Sequence, residues 1–528
     1  MHTNDTAVQA EAKVKGLALT RMFARKPFDS LQREASTAGL TRTLGPVQLI
    51  LLGIGCILGA GIYVMPGNAA ANFAGPAVVL SFVIAGIACG LTGLCYAELA
   101  SAIPVSGSAY NYCYAAIGEI FAWSLGWILL LDYGLAAALL AVGFSGYLSS
   151  LAADFGVHIP AMLSTPYVLA EQSPGGYVLV VSGGCNLVAA LAVGVITWVL
   201  MRGVSASARV NATLVSIKVV VLLIFIAVGF SAIEPHNWRP FVPPSQGGFT
   251  YGWAGVMRAA SVLFFAYIGF ETVSTAAAET RNPQRDLPIG ILGSLTICTL
   301  LYVIVALILT GIVPYRELGV PDPIALAIDR TGHPGLSILV KFGALTGLSS
   351  VLLVNGYGQS RVTFAMARDG LLPEIFSRLH ADFRTPHLGT LVLGIISAAS
   401  AALLPLTLLG DLISLGTGFS FATVALSVMW LRSTQPDFPR PFKVPFGGFR
   451  LGRVWIGYVP VAAMLFCALM VFPVLIDIVG KARHGQPLPA VILLSYVLVG
   501  ALIYLGYGLR KSRLAPELPD NPLNEGSL

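Results

Sequence analysis

Apolar residues in this chain gather repeatedly into runs long enough to cross a lipid bilayer. A helix needs about 20 consecutive apolar residues to span a hydrocarbon core of about 30 Å. Twelve such runs can be drawn, at 46–66, 77–101, 119–152, 178–200, 210–232, 252–279, 289–313, 336–366, 387–406, 410–432, 455–477 and 488–509. Of the 528 residues, 56% are hydrophobic and 11% are charged, whereas a soluble domain carries about 25% charged residues. Mean hydropathy is +0.80. No soluble fold could hide this much apolar surface, so the expected class is an all-α polytopic membrane protein of about 12 transmembrane helices.

The first run begins near residue 46, after a polar and charged segment, and does not read as a cleaved signal peptide. Lys and Arg suggest an orientation. The arm before span 1 holds Lys13, Lys15, Arg21, Arg25, Lys26, Arg33 and Arg42. The loop after span 10 holds Arg432, Arg440, Lys443, Arg450 and Arg453, and the tail holds Arg510, Lys511 and Arg513. The opposite loops keep Arg239, Arg316, Arg330, Lys481 and Arg483. This bias predicts cytoplasmic N- and C-termini. The net charge of +6 mostly records the same bias and does not read as nucleic-acid binding.

The seven cysteines lie on or beside apolar runs, form no CxxC pair, and read as small packing residues. No His, Cys or carboxylate grouping has metal-ligand spacing, and HExxH, GxSxG and Walker-type motifs are absent. No cofactor or metal is expected, and neither a membrane metalloprotease nor an ATP-driven pump is supported.

Span 1 contains "GIGCILGAGIY", with Gly53, Gly55, Gly59 and Gly61. Each glycine costs a helix about 1 kcal/mol relative to alanine. Gly55 and Gly59 have the GxxxG spacing of close helix packing, but the denser "GAG" asks for more. A helix broken at mid-membrane exposes N–H and C=O groups, which is tolerated only where the break lines a cavity or binds something. In transporters built from repeats, such breaks hold substrate. A repeat predicts a second break five spans later, and span 6 places Gly269 and Glu271 inside an apolar stretch. The organisation expected is an arm at 1–43, a first repeat at 44–232, an inverted second repeat at 252–432, a loop at 433–454, two further helices within 455–509 and a tail at 510–528.

Five stretches carry a family resemblance in order along the chain: "GIGCILGAGIYVMPG", "YAELASAIPVSGSAYNY", "FFAYIGFETVSTAAAETRNPQRDLPIGI", "QSRVTFAMARDGLLP" and "RPFKVPFGG". Together they resemble the amino acid–polyamine–organocation transporters, and most of all the bacterial branch of the cationic amino acid transporter family. The resemblance runs from Leu44 through nearly the whole chain. It implies a 5+5 inverted repeat of the leucine-transporter-like fold, with helices 1 and 6 discontinuous and two C-terminal helices added. It places a substrate carboxylate on the amides of Gly59, Ala60 and Gly61, and a substrate ammonium on carbonyls of Ile57, Phe265, Ala266 and Ile268. Phe265 would gate the site from outside. Exposed N–H groups at a half-helix N-terminus suit a carboxylate on electrostatic grounds.

Ionisable residues deep in spans mark function by default. Lys218 lies within span 5 and, by the resemblance, stands where sodium-coupled relatives hold the ion, as a proton-coupling group. Asp132 in span 3 is its candidate acidic counterpart, one methylene shorter than the family's usual glutamate. Glu271 faces the pocket or the cytoplasmic path, or bonds freed backbone N–H groups. Arg361 reads as a gate or ion-pair member. Asn355 in span 8 occupies a position that shapes the side-chain pocket, where some relatives have Met, and Ala60 replaces a hydroxyl-bearing residue. The expected protein is a multi-pass bacterial inner-membrane transporter, importing L-amino acids by proton symport with alternating access. Spans 1, 2, 6 and 7 move against spans 3, 4, 8 and 9. The alternative is an amino acid exchanger, including of cationic amino acids; a receptor or membrane enzyme has no grouped side chains to support it. Expected partners are the amino acid, a proton and the lipid bilayer; a small single-span accessory subunit is left open. The tail is expected to be disordered, and the arm to include a surface helix.

Overall fold

The structure is a computed structural model that describes residues 22–27, 44–103, 109–173, 176–203 and 208–513. Most of the arm, the tail after Arg513 and residues 104–108 of the "YAELASAIPVSGSAYNY" stretch lie outside the described residues, with the expectations made for them. Among the described residues, nine helices are long and apolar enough to cross a membrane. Three shorter apolar helices, Pro46–Ile57, Leu187–Met201 and His387–Leu403, fall where spans 1, 4 and 9 are expected. Large apolar side chains such as Ile87, Leu191, Phe230, Leu300, Phe472 and Leu494 point outward. That arrangement suits lipid, since a soluble protein does not expose so continuous an apolar surface.

The packing follows the repeat. Span 2 packs along span 7, span 3 along span 8 and span 4 along span 9. The first half-helix of span 1 lies on spans 5 and 7, and span 6 correspondingly lies on spans 10 and 2. Span 3 lies on span 10 as span 8 lies on span 5. Exchanging each span for its counterpart five places away maps these contacts onto one another, as two interlocked repeats require. The last two long helices stand outside this scheme. Tyr458–Arg483 packs on spans 2, 6 and 10, and Leu488–Ile503 packs on Tyr458–Arg483.

Among the described residues, two small antiparallel hairpins interrupt the all-α architecture. One pairs Val168–Ser173 with Gly176–Val181, the other Gly448–Leu451 with Val454–Gly457. The first corrects the expected start of span 4 at residue 178. The run Tyr177–Val181 holds three β-branched valines and pairs across the hairpin in the register Val168 to Val181. Helix begins only at Leu187, after Gly183 (φ +72°), where Asn186 caps it by accepting the Ala189 N–H at 3.0 Å. An apolar run alone does not separate strand from helix.

Buried charges tie the spans together near each membrane face. On the face with the first hairpin, the Arg258 side chain of span 6 is fully buried. Its Nη2 lies 2.6 Å from Asp411 of span 10 and 2.9 Å from Asp477 of span 11. Lys481 reaches Asp477 at 2.8 Å and sits over the Tyr177 ring, and the Tyr177 hydroxyl donates to Asp411 at 2.7 Å. Two cations thus meet two carboxylates across three helices and a hairpin. On the other face, Glu98 of span 2 accepts from Arg432 and from the Val444 N–H, which pins the "RPFKVPFGG" loop beneath the bundle. There Lys26 of the arm meets Asp369 at 3.0 Å, and Asp369 also accepts the Tyr110 hydroxyl at 2.9 Å. Removing one partner of a buried pair leaves the others uncompensated and costs about 3–5 kcal/mol. Arg258→Met is therefore expected to lower the melting temperature of the detergent-solubilised protein clearly. An unchanged melting temperature would mean that the cluster holds nothing together.

Candidate substrate site at the two helix breaks

Span 1 is not one helix. Pro46–Ile57 ends, Leu58 (φ −72°, ψ 82°) and Gly59 (φ −137°, ψ −132°) leave the helical region, and Ala60–Tyr63 resumes. The Gly59 N–H turns back onto the Ile57 carbonyl at 2.8 Å. Ala60 and Gly61 open the second helix, so their N–H groups stand in its first turn without intrahelical acceptors. Span 6 breaks in the complementary way. Gly252–Leu263 tightens into a 3₁₀ turn at Phe264–Tyr267, the chain extends at Ile268 (φ −53°, ψ 135°), and helix returns only at Thr272–Thr275. The Phe265 carbonyl accepts the Ile268 N–H at 2.8 Å.

Close approach explains the glycines. A Cβ on Gly61 would lie 2.7 Å from the Ala266 carbonyl oxygen and 2.8 Å from the Tyr302 hydroxyl. A Cβ on Gly269 would lie 2.7 Å from the backbone of Cys56, and φ there is +124°. The two breaks thus touch through backbone, and only glycine fits at either contact. Gly59 faces Val351 of span 8, and Gly53 faces Ser294 of span 7.

Ile57, Gly59, Ala60, Gly61, Phe265, Ala266 and Ile268 all lie at this junction. Asn355 is buried in span 8 one turn beyond Val351, on the same face of that helix. The Phe265 ring lies beside Gly410 of span 10. Lys218 is buried, and its Nζ donates to the Gly55 carbonyl at 2.9 Å, one turn before the break. Among the described residues no carboxylate pairs with it. The Glu271 carboxylate accepts the Gly269 N–H at 2.7 Å and so caps the freed backbone of span 6. Asp132 is directed elsewhere. It is buried against Gly416 of span 10, and its Oδ1 has no hydrogen-bond partner. Arg361 is exposed and stacks on Tyr357.

One residue of the junction was not singled out from the sequence. Tyr302 of span 7 brings its hydroxyl to 2.8 Å from the Ile57 carbonyl and 2.7 Å from the Ala266 carbonyl. In "TLLYVIVAL" it has the look of a packing aromatic; only the fold shows both breaks within its reach. The arrangement can bind a small zwitterion: free donors lie on one side, carbonyl acceptors on the other, and apolar side chains around them.

Residues 44–502 match the amino acid permease family. The chain belongs to that family. The permease is 39% identical over 499 residues to the methylthioribose transporter of Bacillus subtilis, covering 94% of this chain and 100% of that protein. It is 40% identical over 500 residues to the branched-chain amino acid permease BcaP of the same bacterium, covering 93% and 99%. With the vacuolar cationic amino acid transporter 4 of Arabidopsis thaliana it shares 37% identity over 421 residues, covering 79% and 68%. These are transporters, not enzymes.

If the backbone contact between the breaks is required, Gly61→Ala and Gly269→Ala should assemble in the membrane but transport poorly, with uptake reduced by about tenfold or more, because the added Cβ meets backbone that cannot yield. Gly90, which has open space around it, provides the control, and Gly90→Ala should transport as the unmodified permease does. Uptake by reconstituted vesicles checks all three.

Proposed function

We propose that this permease is a secondary active importer of L-amino acids, working by alternating access and coupled to protons, in a bacterial plasma membrane with both termini cytoplasmic. The observation that carries the reading is the junction of two broken helices in mid-fold. The amides of Ala60 and Gly61 receive the carboxylate, and the carbonyls of Ile57, Phe265, Ala266 and Ile268 receive the ammonium. This chemistry reads only the core shared by all amino acids, so selectivity falls to the surrounding side chains. Val351, Ile57 and Phe265 make that wall apolar, and Asn355 adds one polar group. Glu271 accepts the Gly269 N–H, which gives this acid the task of capping the freed backbone of span 6. The walls therefore favour a neutral aliphatic substrate, in keeping with the name of one relative, the branched-chain permease.

Proton coupling rests on Lys218. A buried ammonium on the Gly55 carbonyl holds the first half of span 1 from the side of span 5. Losing the proton removes the positive charge and weakens that tie, which lets span 1 move. Returning the proton restores it. Sodium is disfavoured, since the ammonium would repel it. Spans 1, 2, 6 and 7 are proposed as the moving bundle against spans 3, 4, 8 and 9.

Uptake of radiolabelled valine, alanine and arginine into sodium-free proteoliposomes tests this reading. Accumulation of valine or alanine that requires an inward proton gradient is expected. Lys218→Met should abolish gradient-driven accumulation. Uptake that needs only preloaded amino acid and ignores the gradient would make the permease an exchanger and reduce Lys218 to a fixed structural charge.

A further inference from the structure

The hairpin of Gly448–Leu451 and Val454–Gly457 has two unlike faces. Side chains alternate along a strand, and residues directly opposite one another share a face. Phe449 pairs with Ile456 and Leu451 with Val454, so one face carries four apolar side chains. Arg450 and Trp455 pair on the other face. That second face is engaged by the end of span 10. The Arg432 guanidinium lies 4.1 Å over the Trp455 ring, and the Trp455 N–H donates to the Ser433 hydroxyl at 2.7 Å. The apolar face is left open. Leu451 is 67% exposed, and Phe446, just before the first strand, is 82% exposed. Phe449 and Val454 are about half exposed. A contiguous exposed apolar patch of this kind marks an interaction surface.

Charge and position say what covers it. Residues 440–460 hold Arg440, Lys443, Arg450 and Arg453 and no carboxylate. Arg440 lies 3.7 Å from Glu98 of span 2. Among the described residues, no ion pair engages Lys443, Arg450 or Arg453, and all three are exposed. The second strand runs directly into Tyr458–Arg483, and the Phe449 ring packs near Tyr458 with centroids 6.1 Å apart. Further along that helix, Leu465 and Phe472 point outward to lipid. The apolar face is therefore continuous with the lipid-facing surface of span 11, at the level where the helix leaves the membrane. We propose that this hairpin is a membrane-docking element: Phe446, Phe449, Leu451 and Val454 enter the interfacial layer, and Arg450, Arg453 and Lys443 hold anionic phospholipid headgroups. Apolar insertion and attraction to anionic lipid add in such elements. The loop is also tied to span 2, since the Val444 N–H donates to Glu98 at 2.7 Å. A docked hairpin thus fixes that end of span 2 relative to the membrane surface.

A fluorescent probe at position 451 tests this in the full-length permease. Six of the seven cysteines are buried, and Cys185→Ser removes the partly exposed one. Leu451→Cys then carries an environment-sensitive label, and the protein is placed in phosphatidylcholine nanodiscs with or without phosphatidylglycerol. With phosphatidylglycerol, the label should be quenched by a nitroxide on the lipid headgroup region and shielded from iodide in the water. Removing charge with Arg450→Gln and Arg453→Gln should shift the balance from docked to undocked by about fivefold for each arginine, and high salt should act the same way. The same label at Leu465→Cys, on span 11, should be quenched by lipid with or without phosphatidylglycerol, which shows that the labelled protein is assembled. A label at 451 that iodide reaches freely and the lipid nitroxide does not would overturn the proposal. Quenching indifferent to phosphatidylglycerol and to both arginines would overturn the role given to anionic lipid. Shielding that appears only when a nanodisc holds two copies would assign the face to a second copy of the chain and overturn it as well.

Discussion

A peptide group inside a bilayer has no water to bond, so every N–H and C=O released from a helix must find a partner in the protein or its ligand. The architecture of this permease depends on where that rule is broken and how it is answered. Spans 1 and 6 both release backbone, and they do so against each other. Gly61 and Gly269 allow the breaks to touch, Glu271 caps one freed N–H, Lys218 holds the carbonyl of Gly55, and Tyr302 bridges Ile57 and Ala266. The groups left over, the amides of Ala60 and Gly61 and the outward lone pairs of the carbonyls, define what a ligand must bring.

Such a junction is useful only if the surrounding helices hold it in register, and the polar clusters near the two faces do so. Arg258, six residues into span 6, is fixed to spans 10 and 11 by Asp411 and Asp477. Glu98 and Arg432 join span 2 to span 10 at the other face, and the Val444 N–H on Glu98 adds the following loop. The centre of the bundle is held by close backbone contacts at Gly61 and Gly269, and the ends by buried charges that cost about 3–5 kcal/mol to leave unpaired.

Much of this was legible in the sequence, because membrane rules are strict. Apolar run lengths located the spans, and the dense glycines of span 1 with Gly269 in span 6 located the breaks. What escaped notice had a physical reason in each case. Arg258 meets carboxylates 153 and 219 residues away, and no local pattern announces such a pairing. Tyr302 reads as packing until its reach is known. The run ending at Val181 has the hydropathy of a helix and the branching of a strand, and hairpin pairing decided between them. Gly59 was expected to offer its N–H outward, but the turn spends it on Ile57. Asp132 reads as the acidic counterpart of Lys218 from its depth in span 3 and its place in the family pattern. Its neighbour Gly416 shows that it lies between spans 3 and 10, a direction that hydropathy does not encode.

The central claim is that the two breaks form one substrate site. Cryo-electron microscopy of the permease in lipid nanodiscs with saturating L-valine tests it most directly. The account predicts density for the amino acid between the breaks, its carboxylate on the amides of Ala60 and Gly61 and its ammonium on the carbonyls of span 6. Valine bound elsewhere, or a helix running unbroken through Leu58 and Gly59, would contradict it.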